Sequence, residues 1–227
     1  MSGYARAGLL HKLTGRDWWV SFLLTLRYAL HVIVHPFDGF WDLTHERRGS
    51  MRTANFIVLM VMLTRILRLQ YTSFIFMRVN WARVNVLFEC MSILLPMVIW
   101  CLANWSLTTL FEGKGRMRDI YMGTAYALTP YVLIQLPLIL VSNMITVQEG
   151  ALYTVLSGIS LLWSGLLIIC AMLMIHDYTL WKTLVFMVMS LFGMLVIVFV
   201  MMLFFSLISD GIAYFVSLYK ELSFRLY

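Results

Sequence analysis

Long apolar runs separated by short polar joints set the pattern of this chain. Five of them follow one another over roughly 54–77, 85–110, 120–142, 150–175 and 183–209. Each reaches the ~20 residues that a helix needs to cross a hydrocarbon core. Backbone polar groups find no water in such a core, so a run of this length is read as a helix that satisfies its own backbone. The pattern predicts an all-α membrane protein with five transmembrane helices.

Two further stretches are amphipathic rather than wholly apolar. On a helical wheel of residues 17–35, Asp17, Ser21, Thr25, Arg27, His31 and His35 fall on one arc. Trp18, Trp19, Phe22, Leu23, Leu26, Leu30 and Ile33 cover the rest. This is the geometry of a helix lying in the membrane interface. No small-residue cleavage site follows it, so a cleaved signal is not expected, and Pro36 ends the helix. The tail carries Ile212, Phe215, Val216, Tyr219 and Leu222 at helical spacing and is predicted as a second surface helix. Three parts result: a cytoplasmic N-terminal segment over 1–53, the five-span domain over 54–209, and the amphipathic end over 210–227.

The stretch 104–143 joins the second span to the third and concentrates the unusual residues. Its charged joint, EGKGRMRD at 112–119, holds Gly113, Lys114 and Gly115. The third span carries Pro130 and Pro137, seven residues apart and hence close to one face. Each proline removes a backbone donor and bends a helix, so the carbonyls it frees need partners from neighbours. The third span is therefore expected to be kinked and to lie inside the bundle.

Composition agrees with this reading. The chain is 62% apolar and 12% charged, with a mean hydropathy of +0.86. Cys90, Cys101 and Cys170 all lie in apolar segments away from clustered histidines, so neither a disulfide framework nor a zinc site is expected, and no cofactor is implied. The net charge of +6 requires no nucleic acid to explain it. With the N-terminus inside, the inner segments 1–53, 111–119 and 176–182 hold seven, three and one Lys or Arg. The outer segments 78–84, 143–149 and 210–227 hold two, none and two. That asymmetry predicts a multi-pass protein of the cytoplasmic membrane with its N-terminus inside and its C-terminus outside.

Several polar residues stand out against this background. Arg65 and Arg68 lie three apart within the first span, and Glu89 is the acid well placed on a neighbour. A charge at mid-membrane costs roughly 2.5–3.5 kcal/mol on insertion scales, so an Arg–Glu clasp between adjacent helices or a substrate or proton path is expected there. The 112–119 joint resembles a phosphate cradle only in its glycines and does not match GxxxxGK[ST]. His176 and Asp177 are adjacent at the inner end of the fourth span, as an acid/base pair or a helix cap. Asn104, Tyr126 and Asn143 are candidates for interhelical hydrogen bonds. Gly158 and Gly165 share a face of the fourth span where a partner helix can approach closely. Glu112 and Glu149 sit in joints and call for no function.

The order of elements resembles the five-span family named for Ypt/Rab-interacting proteins, the Yip domain family, in its bacterial branch. The resemblance rests on PFDGFWDLTHERRGS at 36–50, LPMVIWCLANWSLTTLFEGKG at 95–115 and DIYMGTAYALTPY at 119–131. PLILVSN with the downstream EGALY, over 137–153, and HDYTLWK at 176–182 extend it. It implies a cytosolic N-terminus, five spans and no catalytic site. Eukaryotic members are tied to Rab proteins through a longer N-terminal region with an Asp-Leu-Tyr-Gly-Pro-like motif. That motif is not present here, so Rab binding is not carried over. Bacterial relatives are linked by association to carbohydrate ABC importers, which makes an importer permease the partner implied. Three function classes follow: an accessory or scaffold subunit binding another membrane protein, a small transporter or channel, and an intramembrane enzyme. The first is preferred. Five spans do not divide into equal repeats, and no HExxH, GxSG or paired aspartates occur at membrane depth.

Overall fold

A computed structural model of the chain describes residues 15–76, 84–111 and 113–226. Arg6, Lys12, Arg78, Arg83 and Glu112 lie outside the described residues, as do the side chains of 15–21, among them Trp18 and Trp19. The described chain is helical throughout and holds no strand. α1 (Gly15–Val34) and α2 (Pro36–Thr44) form a hairpin, joined where Pro36 stops one helix and opens the next. α3 (Met51–Tyr71), α4 (Val86–Leu110), the pair α5 (Met117–Ala127) and α6 (Thr129–Val141), α7 (Gly150–His176) and α8 (Leu180–Leu226) follow. Five segments are long and apolar enough to span a membrane: α3, α4, α5 with α6, α7 with the turn before it, and α8.

Local signals explain where these helices begin. Ser50 caps α3, its side chain accepting from the Arg52 amide at 3.3 Å. Asn85 caps α4 by accepting from the Leu87 and Phe88 amides. Thr146 and Glu149 form a capping box ahead of α7, the Glu149 carboxylate accepting from the Thr146 amide at 3.1 Å. Glu149 thus has a structural role in its joint.

The core lies where α3, α5, α6 and α7 meet, closed at one end by the α1–α2 hairpin. Tyr126, Phe40, Ile120, Leu43 and Met172 are its largest sealed side chains. α4 and α8 pack mainly on each other along the side of this core. The joints 45–50, 113–116 and 177–179 gather at one end of the bundle, here termed the basic end. Cys90, Cys101 and Cys170 are free thiols.

The third span is broken as its prolines predict, but only at one of them. α5 stops at Ala127 and α6 restarts at Thr129, whereas Pro137 lies within α6. Pro130 has no amide to give the Tyr126 carbonyl, and the Thr129 hydroxyl donates to that oxygen instead at 2.7 Å. Thr129 is buried, so Thr129→Val should leave the carbonyl only the Leu128 amide, which it shares with the Ala125 carbonyl, at a cost of about 1 kcal/mol. Thermal unfolding in detergent checks this. Thr129→Ser should melt like the parent, and a Thr129→Val protein that did so too would remove the hydroxyl from the account of the break.

Two amphipathic segments differ from their wheels. Thr25, assigned to the polar arc of α1, faces the bundle, its Oγ1 2.6 Å from Thr53 Oγ1. Phe22 meets Phe56 edge-on in the same interface, Ala29 is sealed one turn on from Thr25, and Val32 is sealed against Gly39 of α2. Leu23, Leu24, Leu30 and Val34 are exposed instead. Small residues one turn apart let α1 approach α3, and that packing outweighs the polarity of one hydroxyl that finds a partner. The tail, expected as a separate helix from residue 210, continues α8 without interruption to Leu226. One glycine, Gly211, costs a helix only about 1 kcal/mol and does not end it.

Candidate functional site

Two groups of polar side chains cross the apolar bundle. At the basic end, α7 terminates at His176, and Asp177 follows in the left-handed conformation (φ 54°) typical of a helix end. His176 is 2% exposed. Its Nδ1 accepts from the Gly115 amide at 3.2 Å. An amide can only donate, so Nδ1 is bare and the ring proton sits on Nε2. Nε2 then donates to Asn104 Oδ1 at 3.0 Å, and Asn104 Nδ2 donates to Ser190 Oγ at 3.2 Å. The series runs from the α4–α5 joint through α7 and α4 into α8.

Both joint glycines allow this close approach. A Cβ at Gly115 would lie 2.5 Å from His176 Cε1, and one at Gly113 would lie 2.6 Å from Thr108 Cβ. The Gly113 amide donates to the Thr108 carbonyl at 2.7 Å. The joint is therefore no amide cradle for phosphate: its glycine N–H groups are committed to helix neighbours. Lys114 pairs with Asp177 at 2.9 Å, but with the lysine 73% exposed the bridge contributes little. His176 and Asp177 do not bond each other. Tyr178 stacks on His176, and its hydroxyl donates to the Phe111 carbonyl at 3.3 Å.

The second group lies further along the spans. Arg65 Nε donates to Glu89 Oε2 at 3.1 Å, joining α3 to α4. Arg68 does not share this carboxylate; its Nη2 reaches Ser157 Oγ on α7 at 3.5 Å. Residues three apart on a helix differ by about 60° in direction, enough to aim the two arginines at different neighbours. Ser157 and Ser160 also accept from Gln135 Nε2 at 3.0 and 2.8 Å, tying α6 to α7. Asn143 Nδ2 donates to the Tyr71 and Ile139 carbonyls, and the Tyr126 hydroxyl accepts from the Ser50 amide. Gln135, Ser157 and Ser190 were missed in the sequence, and Ser160, expected as a small residue where a partner backbone approaches, instead bonds Gln135 inside the bundle. A lone amide in the apolar run 129–141, with serines at helical spacing on the next span, was the signal available.

A cleft of about 620 Å³ opens between the spans and is bordered by all five, with Arg65, Trp100, Tyr131, Gly165 and Met187 among its walls. A Cβ added at Gly158 or Gly165 would meet no atom within 4 Å, and Gly165 opens on that cleft. Among the described residues, no three His, Cys, Asp or Glu side chains gather as a metal set.

The deciding comparison is with protein-family models, where the Yip1 domain matches residues 30–204. The chain belongs to the Yip1 domain family. No match to a curated protein or to a solved structure was found. The Yip1 match begins inside α1 and ends inside α8, so it takes in α2, the first four spans and both polar groups. Residues 205–226 of α8 lie past it.

Proposed function

We propose that this Yip1-domain protein is a non-catalytic integral membrane subunit that works by binding another integral membrane protein. The observation that carries the reading is the state of α8. Its 47 residues extend about 70 Å, more than twice the thickness of a hydrocarbon core. Beyond Ser190 none of its described side chains is buried. Ile212, Phe215, Val216, Tyr219 and Leu222 remain exposed on the part that outruns the bilayer. Lipid can cover the first half of such a helix. The second half needs a partner or the membrane surface, because a large apolar stripe is not left in water.

The basic end faces the cytosol in this reading, giving an N-terminus inside and a C-terminus outside the cytoplasmic membrane. Support comes from Arg47, Arg48, Lys114, Arg116 and Arg118 clustering at one end of the spans. For the partner we take the permease of a carbohydrate ABC importer, on the family resemblance alone. A second reading, a small transporter, is favoured by the cleft that all five spans border.

Photo-crosslinking from Phe215 and from Phe192 in native membranes separates the two. Phe215 should form an adduct with a second integral membrane protein, which mass spectrometry identifies as a permease or otherwise. Adducts to lipid alone at both positions, with solute flux in vesicles holding only this chain, would replace the subunit reading by the transporter.

A further inference from the structure

The basic end holds a second cleft, separate from the His176 series and from the apolar cleft between the spans. It measures about 480 Å³ and lies between the end of α2, the joint 45–49, the joint 114–116 and the start of α5. Its floor is apolar and sealed, made of Leu43, Met122 and Ile175. Its rim carries Arg47, Lys114, Arg116 and Arg118 against one carboxylate, Asp119. Lys114 is held by Asp177. The guanidinium groups of Arg47, Arg116 and Arg118 have no hydrogen-bond or ion-pair partner among the described residues. Their neighbour Arg48, by contrast, is neutralised by Asp42 and Glu46 at 3.1 and 2.6 Å. Acids are thus available on α2 and in the next joint, yet the three cleft arginines are left uncompensated.

Several unpaired guanidinium groups around one concavity repel one another and are the geometry that takes a phosphate, through paired N–H donors. The first turn of α5 adds the Met117 and Arg118 amides and the positive end of the helix dipole; its cap residue, Arg116, offers no side-chain acceptor to satisfy them, while the Asp119 amide is already taken by the Arg116 carbonyl at 2.8 Å. The cleft also lies where spans begin and end: α3 starts at Met51, α5 at Met117, and α7 ends at His176. Lipid phosphates of that leaflet sit at the same level. An apolar floor under a cationic rim suits a phosphorylated headgroup with its acyl chains directed along the spans. It suits a soluble phosphate equally at the rim.

We propose that this cleft is a phosphate-binding site, its ligand held by Arg47, Arg116 and Arg118. The site draws on side chains from two separate joints and the first turn of α5, and not on the glycine amides.

The test uses the full-length protein in a phosphate-free neutral detergent. Inorganic pyrophosphate, titrated by calorimetry, probes the soluble ligand. Native mass spectrometry from micelles doped equally with phosphatidylglycerol and phosphatidylcholine probes the lipid. The double variant R47Q/R116Q removes one cation from each joint, at exposed positions. R27Q/K220Q removes the same charge elsewhere. R116K keeps the charge and monitors the fold. Binding of either probe is expected to weaken about tenfold or more in R47Q/R116Q, equivalent to at least about 1.4 kcal/mol, and about twofold or less in R27Q/K220Q. Saturable pyrophosphate binding with no preference between the lipids assigns a soluble phosphate. Selective retention of phosphatidylglycerol, lost in the double variant, assigns a headgroup. No binding of either probe, or equal weakening by both double variants, overturns the proposal.

Discussion

Asn104→Leu should destabilise the bundle more than any other single change at the basic end. The substitution is close in size and more apolar, so transfer alone would favour it within a membrane protein. Against that, it removes the acceptor of the His176 Nε2 proton and the donor to Ser190 Oγ together. Both orphaned groups are sealed, His176 at 2% exposure and Ser190 at 0%. Each costs about 1–3 kcal/mol when left without a partner inside a protein. Polar contacts within membranes average nearer 0.6 kcal/mol, because the unfolded reference finds partners in the same bilayer. The higher range applies here, since the His176 ring is also fixed by the Gly115 amide and cannot turn to another acceptor. A loss of about 2 kcal/mol or more is expected from chemical unfolding in detergent. His176→Phe added to Asn104→Leu should cost less than the two singles combined, because the groups orphaned by one are removed by the other. Strict additivity would show that the series is not a unit.

The same residues show what a sequence can and cannot disclose. Hydrophobic runs locate the spans because a bilayer makes one demand on every residue of a crossing helix. Boundaries are set more locally: the first span begins at Met51, not 54, because Ser50 supplies the cap. Pro130 was legible as a break, yet its compensation by Thr129 depends on a rotamer that spacing does not give. Asn104 and His176 lie 72 positions apart, and nothing local pairs them. Gly113 and Gly115 were visible as a permissive joint, but only packing against Thr108 and His176 shows that they make room for side chains and leave no cradle. The basic cleft was equally hidden, since Arg47 precedes the first two spans and Arg116 and Arg118 follow them. Arg65 with Glu89 was legible for the opposite reason: charges within spans are so few that each has little choice of partner. Arg68 was not, because a turn of about 60° decides which helix it faces.

That clasp carries the second large effect. Glu89→Gln keeps the shape of the side chain and removes only its charge, leaving Arg65 beside a neutral amide. Breaking a buried pair this way costs about 3–5 kcal/mol, whereas an exposed pair contributes about 0.2–1 kcal/mol. The pair lies between these limits, with Arg65 36% and Glu89 18% exposed. What surrounds Arg65 also matters, because its exposed part borders the apolar cleft between the spans and lies within α3. Screening there is weaker than at an aqueous surface, so a loss of about 1–3 kcal/mol is expected on unfolding in detergent. Replacing Arg65 by Gln as well should recover part of that loss, since no unpaired cation then remains. The exchange Arg65→Glu with Glu89→Arg should recover part of it too, because one opposite-charge contact is restored between α3 and α4. The same loss measured at low and high salt locates the pair: strong attenuation by salt means that water reaches the carboxylate, and insensitivity means that the cleft is closed to ions. A Glu89→Gln protein as stable as the parent would show that Arg65 finds compensation elsewhere and that α3 and α4 are held by packing alone.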